Sequence, residues 1–418
     1  MPSLSVVTSE TVRTITDDEF GDFINVVHTA FLAPPSSAEG IETRRAAFDL
    51  DRCLAAFDRN GRLCGVARAF PTELTTPGGS VAAGAVSGVG VLPTHRRQGH
   101  LRRMMHTQLD DIAARGEPVA TLVAAEYPIY GRYGYGLAVE ACELHLDANQ
   151  AQWLSPDGEG HVELVDNDTY AKVVVDVYDR ARRTFAGHIS YEPARWEVLA
   201  GVRTWPDGDD DARRKATKVV WYGAQGEPNA ATAYSVDERW EHNRPAGTLS
   251  ADVLVATSGR AEVELVRFLA SVDWVAKVHV GLRPLDNPVP LALADARMGE
   301  LVNRSDHLWV RILDVPAALT ARRYAADGSL VLEVVDPLGH AAGRFALAGG
   351  PEGATCRATD AEPDLVVPVG ALGAAYLGGT GWGRLAALGW VDERADGATG
   401  RAAAMFGSPR APWCVLSF

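Results

Sequence analysis

The chain has 418 residues, 47% hydrophobic and 22% charged, which is enough to bury large cores and too long for one ordinary domain, so two or three are expected. Forty basic against 54 acidic residues give a formal net charge of −14, which repels phosphate backbones and argues against general nucleic-acid binding; such a charge chiefly serves solubility, with steering of cationic small molecules as the second reading. The five cysteines (Cys53, Cys64, Cys142, Cys356, Cys414) are scattered without a CxxC, and neither a basic-then-apolar leader nor a run of about 18 apolar residues is present, so reduced thiols and a cytoplasmic protein without a membrane span are expected.

Thr16 and Glu19 have capping-box spacing and open a helix whose apolar face carries Phe20, Phe23, Ile24 and Val27. Apolar runs at 53–57 and 63–70 flank Asn60 and Gly61, a hairpin signal. A further strand is expected at 81–92, then a Pro93 turn and a basic loop. The next helix carries Leu101, Met104, Met105, Leu109 and Ile112 on one stripe and ends at Gly116. A short buried strand at 119–125, an aromatic loop and a strand near 138–146 complete a mixed α/β unit over residues 1–150.

A second unit, residues 151–290, repeats that order. It has a helix near 170–185, a hairpin at 218–222 and 231–236, a strand at 248–257, a helix at 260–272 and a strand at 275–282. Its strand-to-helix junction, Ala256 to Arg260, lacks paired arginines, so it reads as a degenerate copy. Residues 284–290, with three prolines, are a linker candidate. The third unit, 291–418, has strands expected near 308–313, 330–335 and 343–347 and helices near 369–377 and 384–388. It ends on Trp413, Cys414, Val415, Leu416, Ser417 and Phe418, an apolar terminus that should dock inside the protein.

The chemistry concentrates after the strand at 81–92. Arg96, Arg97, Gln98 and Gly99 lead into a helix, whose first turn offers N–H groups and a partial positive charge to a pyrophosphate. Gly99 lets an anion approach, and Arg97 and Arg102 can add charge-assisted bonds. If the strand bearing Gly90 splays from the one at Ala124 and Ala125, the gap can take an amide-bearing arm as an added strand. His95 and His100 read as loop residues. No His, Asp and Glu cluster has metal-ligand spacing, so no metal is expected, and Ser87 and Ser408 lack a nucleophile-elbow context.

The segment from Val89 to Arg102 resembles motif A of the GNAT acetyltransferases, with Leu101 in place of the usual final small residue. In detail it is similar to the Eis (enhanced intracellular survival) family, as is the segment from Glu126 to Gly136 with Tyr127, Tyr130, Tyr133 and Tyr135. The resemblance implies an α+β chain of tandem GNAT (acyl-CoA N-acyltransferase) domains, the second degenerate, then a sterol-carrier-protein-like domain. It implies a homohexamer using acetyl-CoA, with cofactor contacts at Val89, Gly90, Val91, Arg97, Gln98, Gly99, His100, Leu101, Arg102, Ala125 and Glu126. Ala125 stands where a characterised member has Ser, leaving only its backbone to serve.

It also implies Tyr130 as general acid and the carboxylate of Phe418 as general base. A phenol, ordinarily near pKa 10, keeps a proton to give a leaving thiolate, and a C-terminal carboxylate, ordinarily about 3.3–3.7, is ionised to receive one. A backbone N–H near Val91 would hold the oxyanion. The expected activity is N-acetylation of a small cationic amine (aminoglycoside, polyamine or lysine-like). The family's acidic pocket residue has no counterpart in Thr29, Ala30, Phe31 and Leu32. The alternatives are a non-catalytic acyl-CoA or lipid-binding protein using the third domain, and an aminoacyl-tRNA-dependent transferase, which the acidic balance disfavours.

Overall fold

A computed structural model describes residues 11–191, 193–204 and 211–418. The first ten residues, read above for a leader, lie outside them. The largest sheet has 13 strands. Its order is Thr11–Thr14, Cys53–Phe57, Leu63–Thr76, Gly79–Val91, Val119–Val123, Gly299–Ile312, Gly136–Asp147, Val275–Arg283, Gly247–Ala251, Pro228–Asp237, Thr217–Gly223 and Gly160–Val165, with Leu254–Ala256 paired to Pro228–Asp237 off that path.

The local signals work as their chemistry demands. The carboxylate of Glu19 accepts from the Thr16 N–H at 2.9 Å ahead of the helix Phe20–Ala30. At the hairpin turn the Asp58 carboxylate accepts from the N–H groups of Asn60 and Arg62, and Gly61 takes a positive φ. The helix His100–Ala114 buries Met104, Met105, Leu109 and Ile112 completely. Burial at about 1.5–3 kcal/mol per side chain anchors that helix to the sheet.

Three expectations are corrected. The strand read near 308–313 as part of the third unit is the end of Gly299–Ile312. It lies inside the large sheet, antiparallel to Val119–Val123 on one side and to Gly136–Asp147 on the other. An apolar run carries no label saying which unit it will complete. The linker candidate at 284–290 is packed: Asn287 and Val289 are buried, and the Asn287 amide donates to the Glu262 carboxylate at 2.7 Å. The strand expected at 248–257 is two, Gly247–Ala251 and Leu254–Ala256.

The third unit adds a five-stranded sheet, in the order Gly353–Ala358, Gly343–Gly350, Gly328–Val335, Leu365–Pro368 and Asp392–Glu393. Helices Val369–Ala375, Trp382–Ala387 and Ala398–Phe406 cover it, and Leu330, Leu332, Leu347, Leu365, Val367, Leu372, Leu377 and Trp382 pack on one another in its core. Arg311, from the large sheet, donates to Asp336 of the third unit at 2.7 Å, with both side chains fully buried. Among the described residues no helix is long and apolar enough to cross a membrane.

Candidate active site

Strands Gly79–Val91 and Val119–Val123 run parallel, but their pairing covers only Ala83 with Val119 through Val86 with Leu122. From Ser87 onward the first strand pairs with Leu63–Thr76 alone, through Ser87 with Arg68 and Gly90 with Val66. Between those two pairs Gly88 and Val89 face the single residue Ala67. That extra residue makes a bulge, and Gly88 meets its geometry with φ +61. The two strands therefore part beyond Val86 and Leu122, leaving the inner edge of 87–91 facing 123–126. Unpaired backbone groups along such a gap suit an extended, amide-bearing ligand. Gly90 is buried because the first helix presses on it: a Cβ there would lie 2.5 Å from that of Ala30.

The gap opens towards the helix His100–Ala114. Its N-cap is Gly99, at φ +83, and no side chain caps the helix. A residue with a Cβ would be strained there, and Ser or Asp would occupy the first-turn N–H groups that Gly99 leaves accessible. Arg97 also has a positive φ, +63. Arg97, Gln98 and Arg102 are exposed beside this terminus, and Leu101 is half-buried. The histidines are structural. His95 lies 3.5 Å from the Asp58 carboxylate, tying the loop to the hairpin. His100 is buried, with its ring beside the Cys64 thiol at 3.8 Å and the Arg103 guanidinium at 2.9 Å.

Ala125 and Glu126 are exposed on the far wall of the gap, just before the short helix Tyr127–Tyr130. Tyr130 is 7% exposed, packed in one cluster with Ala69, Val86, Leu122, Tyr135 and the partly buried Val89 and Ala124. Burial, reinforced by the Glu126 carboxylate and by Tyr133, pushes its phenol up to about 12. The Tyr135 ring stands edge-on at 6.0 Å, and its buried hydroxyl has no hydrogen-bond partner among the described residues.

Phe418 lies on the other face of the sheet. Residues 69 and 70 alternate across their strand: Ala69 belongs to the Tyr130 cluster, whereas Phe70 meets the Phe418 ring edge-on at 5.6 Å. Trp413, Cys414, Val415 and Leu416 are buried, as the apolar terminus required. The Trp413 N–H and indole donate to the carbonyls of Ala186 and Leu282, and the His307 ring lies 3.1 Å from the Leu416 carbonyl. Beside Phe70 opens a cavity of about 200 Å³ lined by Ala47, Arg68, Phe70, Pro71, Ser190, Tyr191 and Arg195. Sequence reading missed these residues. Arg68 and Phe70 show same-face spacing on a strand, and Tyr191 and Arg195 one-turn helical spacing, but nothing local says that the two pairs meet.

The second unit closes its own version of the gap. Ser258 caps the helix Gly259–Ala270 by accepting from the Ala261 N–H at 3.2 Å, using a group that Gly99 leaves open in the first unit. The fully buried Arg283 then fills the space, donating to the Leu254 carbonyl at 2.6 Å and to Glu262 at 2.9 Å, beneath the Trp413 ring. Among the described residues no group of three or more His, Cys, Asp or Glu is placed to hold a metal.

Residues 11–138 and 187–319 each match a family model described as an acetyltransferase (GNAT) domain, and residues 315–415 match a sterol carrier protein domain. An uncharacterised N-acetyltransferase of Streptomyces avermitilis is 40% identical over 97% of this chain and 98% of its own length. The N-acetyltransferase Eis of Mycobacterium tuberculosis is 35% identical over 75% of each chain. Eis1 of Mycobacterium abscessus, a crystal structure, superposes with a TM-score of 0.85 at 33% identity, covering 98% of this chain and all of that one.

Proposed function

The chain belongs to the Eis-like GNAT N-acetyltransferases, and we propose that it transfers the acetyl group of acetyl-CoA directly to the primary amine of a small acceptor. The observation that carries this is the end of strand pairing at Val86 and Leu122 beside the helix N-terminus at Gly99, which no side chain caps. Backbone N–H groups around 97–102 would hold the pyrophosphate, with Arg97 and Arg102 adding charge. The pantetheine arm would lie along 89–91, opposite Ala125 and Glu126. The N–H near Val91 would face the thioester oxygen.

The donor then enters from the Tyr130 face and the acceptor from the Phe418 face. The amine nitrogen attacks the thioester carbon, forming C–N, and the oxyanion collapses with loss of C–S. The departing thiolate takes the Tyr130 proton, and the proton shed by the attacking nitrogen goes to the Phe418 carboxylate, leaving an N-acetylamine and free CoA. Of the acceptors expected from sequence, the cavity is smaller than the ~300–1,000 Å³ usual for drug-sized ligands, which favours a lysine-like or polyamine-sized molecule over a whole aminoglycoside. A homohexamer is part of the proposal; the exposed Trp240 and Trp274 rings, 6.2 Å apart, are apolar surface that an interface would cover. The test is release of free CoA when the protein meets acetyl-CoA and a panel of small primary amines. Amine-dependent release supports transfer; acetyl-CoA binding with no amine-dependent release across the panel contradicts it.

A further inference from the structure

The loop that carries Tyr130 is held from behind by parts of the chain far from it in sequence. Trp309 and Arg311, two apart on Gly299–Ile312, face the same side of that strand and bracket the loop. The Trp309 ring meets Tyr127 edge-on at 4.9 Å at the start of the loop, and at its end a Cβ on Gly134 would lie 2.9 Å from the Arg311 Nε. Between them the Tyr135 N–H donates to the Tyr130 carbonyl at 3.4 Å, and the two rings stand edge-on. Gly136 is pressed so closely against the helix Val369–Ala375 of the third unit that a Cβ there would run into the Gly370 carbonyl and the Ala374 N–H.

Arg311 takes its orientation from the third unit. One terminal nitrogen donates to the Ile312 carbonyl at 2.7 Å and the other to the Asp336 carboxylate at 2.7 Å. The same carboxylate accepts from the N–H groups of Leu338 and Ala341, at 3.1 and 2.9 Å, and so folds the turn that follows Gly328–Val335. From that turn Leu338 packs on the Tyr130 cluster, and the His340 ring lies 2.8 Å from the Asp110 carboxylate of the helix His100–Ala114. A buried carboxylate engaged by three donors fixes the guanidinium and the turn relative to each other. We propose that Asp336 is a positioning residue for acetyl transfer, holding the Tyr130 loop in place through Arg311 on one side and Leu338 on the other. The proposal rests on Tyr130 as the general acid and deepens that reading. The sterol-carrier-like unit thereby forms the back wall of the catalytic site. A phenol gives up its proton efficiently only where its oxygen reaches the departing sulfur, so a small displacement of the loop lowers kcat without loosening either substrate.

The test uses the full-length protein, acetyl-CoA and a small primary amine that it acetylates. D336N keeps the shape of the side chain and removes its charge. L338A trims only the partly buried contact, and it decides the matter alone if D336N does not fold. Both should lower kcat, D336N by roughly ten- to a hundredfold, with the KM for each substrate little changed. The discriminating readout is a double-mutant cycle: in the Y130F background, where no phenol is left to aim, either substitution should change kcat less than about twofold. A merely structural role would carry the same loss into Y130F. An undiminished loss in that background, or wild-type kcat in either folded variant, would overturn the positioning role while leaving Tyr130 as the acid. A Y130F protein as active as wild type, or no turnover of any amine, would instead remove the reading beneath the proposal, and the proposal with it.

Discussion

Tyr130, proposed above as the general acid, shows how surroundings can hold a proton on a side chain. Water would stabilise its phenolate; burial withholds that water, and the neighbouring Glu126 carboxylate disfavours a second negative charge. With the phenol up at about 12, the proton is lost only as pH climbs towards that value, so the acid stays loaded throughout the neutral range. Tyr130→Phe should therefore lower kcat roughly a hundredfold, within the range of general acid catalysis, with the acetyl-CoA KM little changed. The wild-type kcat profile should show no falling limb from this group below pH 10. Wild-type-like turnover in the Phe variant would take the acid role away. The roles proposed for Tyr130, Arg97 and Gly99 could be suggested from sequence because each sits in a short contiguous segment that resembles a family motif. The meeting of Arg68 and Arg195 could not, because an arginine on a strand and another on a distant helix carry no sign that both will stack on Phe70.

Among elements, the decisive contrast is between two helix starts of similar ancestry in one sheet. Gly99 leaves its first turn open, whereas Ser258 caps the other and Arg283 fills the space in front of it. The missing paired arginines after Ala256 could be read from sequence; the plug could not, since Arg283 arrives from the following strand. The C-terminal segment is a second such element. His188, 1% exposed, packs against the rings of Tyr178, Phe185 and Trp413, and neither ring nitrogen has a partner among the described residues. Burial, with Arg283, Arg182 and His307 nearby, drives its pKa down to about 3. A lowered pKa means that the unfolded chain takes up the proton first. The stability it contributes is whole above about pH 6.5 and is lost as pH falls towards 3. His307, lowered mainly by burial, acts in the same direction. Chemical denaturation should show a loss of about 2 kcal/mol from His188 between pH 7 and pH 5. His188→Leu should flatten that part of the slope, and an unchanged slope would mean that the histidine is protonated in the folded protein.

At the scale of the molecule, the sheet does not respect chain order. Gly299–Ile312 closes the space between Val119–Val123 and Gly136–Asp147, so the first unit is completed by a strand that follows the second. Element types and order in the first unit were largely readable from periodicity and turn residues, whereas Gly353–Ala358, Leu365–Pro368 and Ala398–Phe406 of the third were not. This insertion was not, because register between distant strands is decided by burial that no local window contains. A protein truncated after residue 298 should lose not only the third unit but cooperative folding of the first, since two strands would keep bare edges and Leu308, Trp309, Val310 and Ile312 would leave the core. A single sharp unfolding transition in that truncation, seen by circular dichroism, would contradict this dependence.

Acetyl transfer by this route turns on where the coenzyme lies. A crystal structure of the full-length protein with coenzyme A should place the diphosphate against the backbone N–H groups of residues 97–102 and the pantetheine between residues 87–91 and 123–126, with the thiol end near Tyr130. A diphosphate bound anywhere else, with the parted strands holding no ligand, would contradict it.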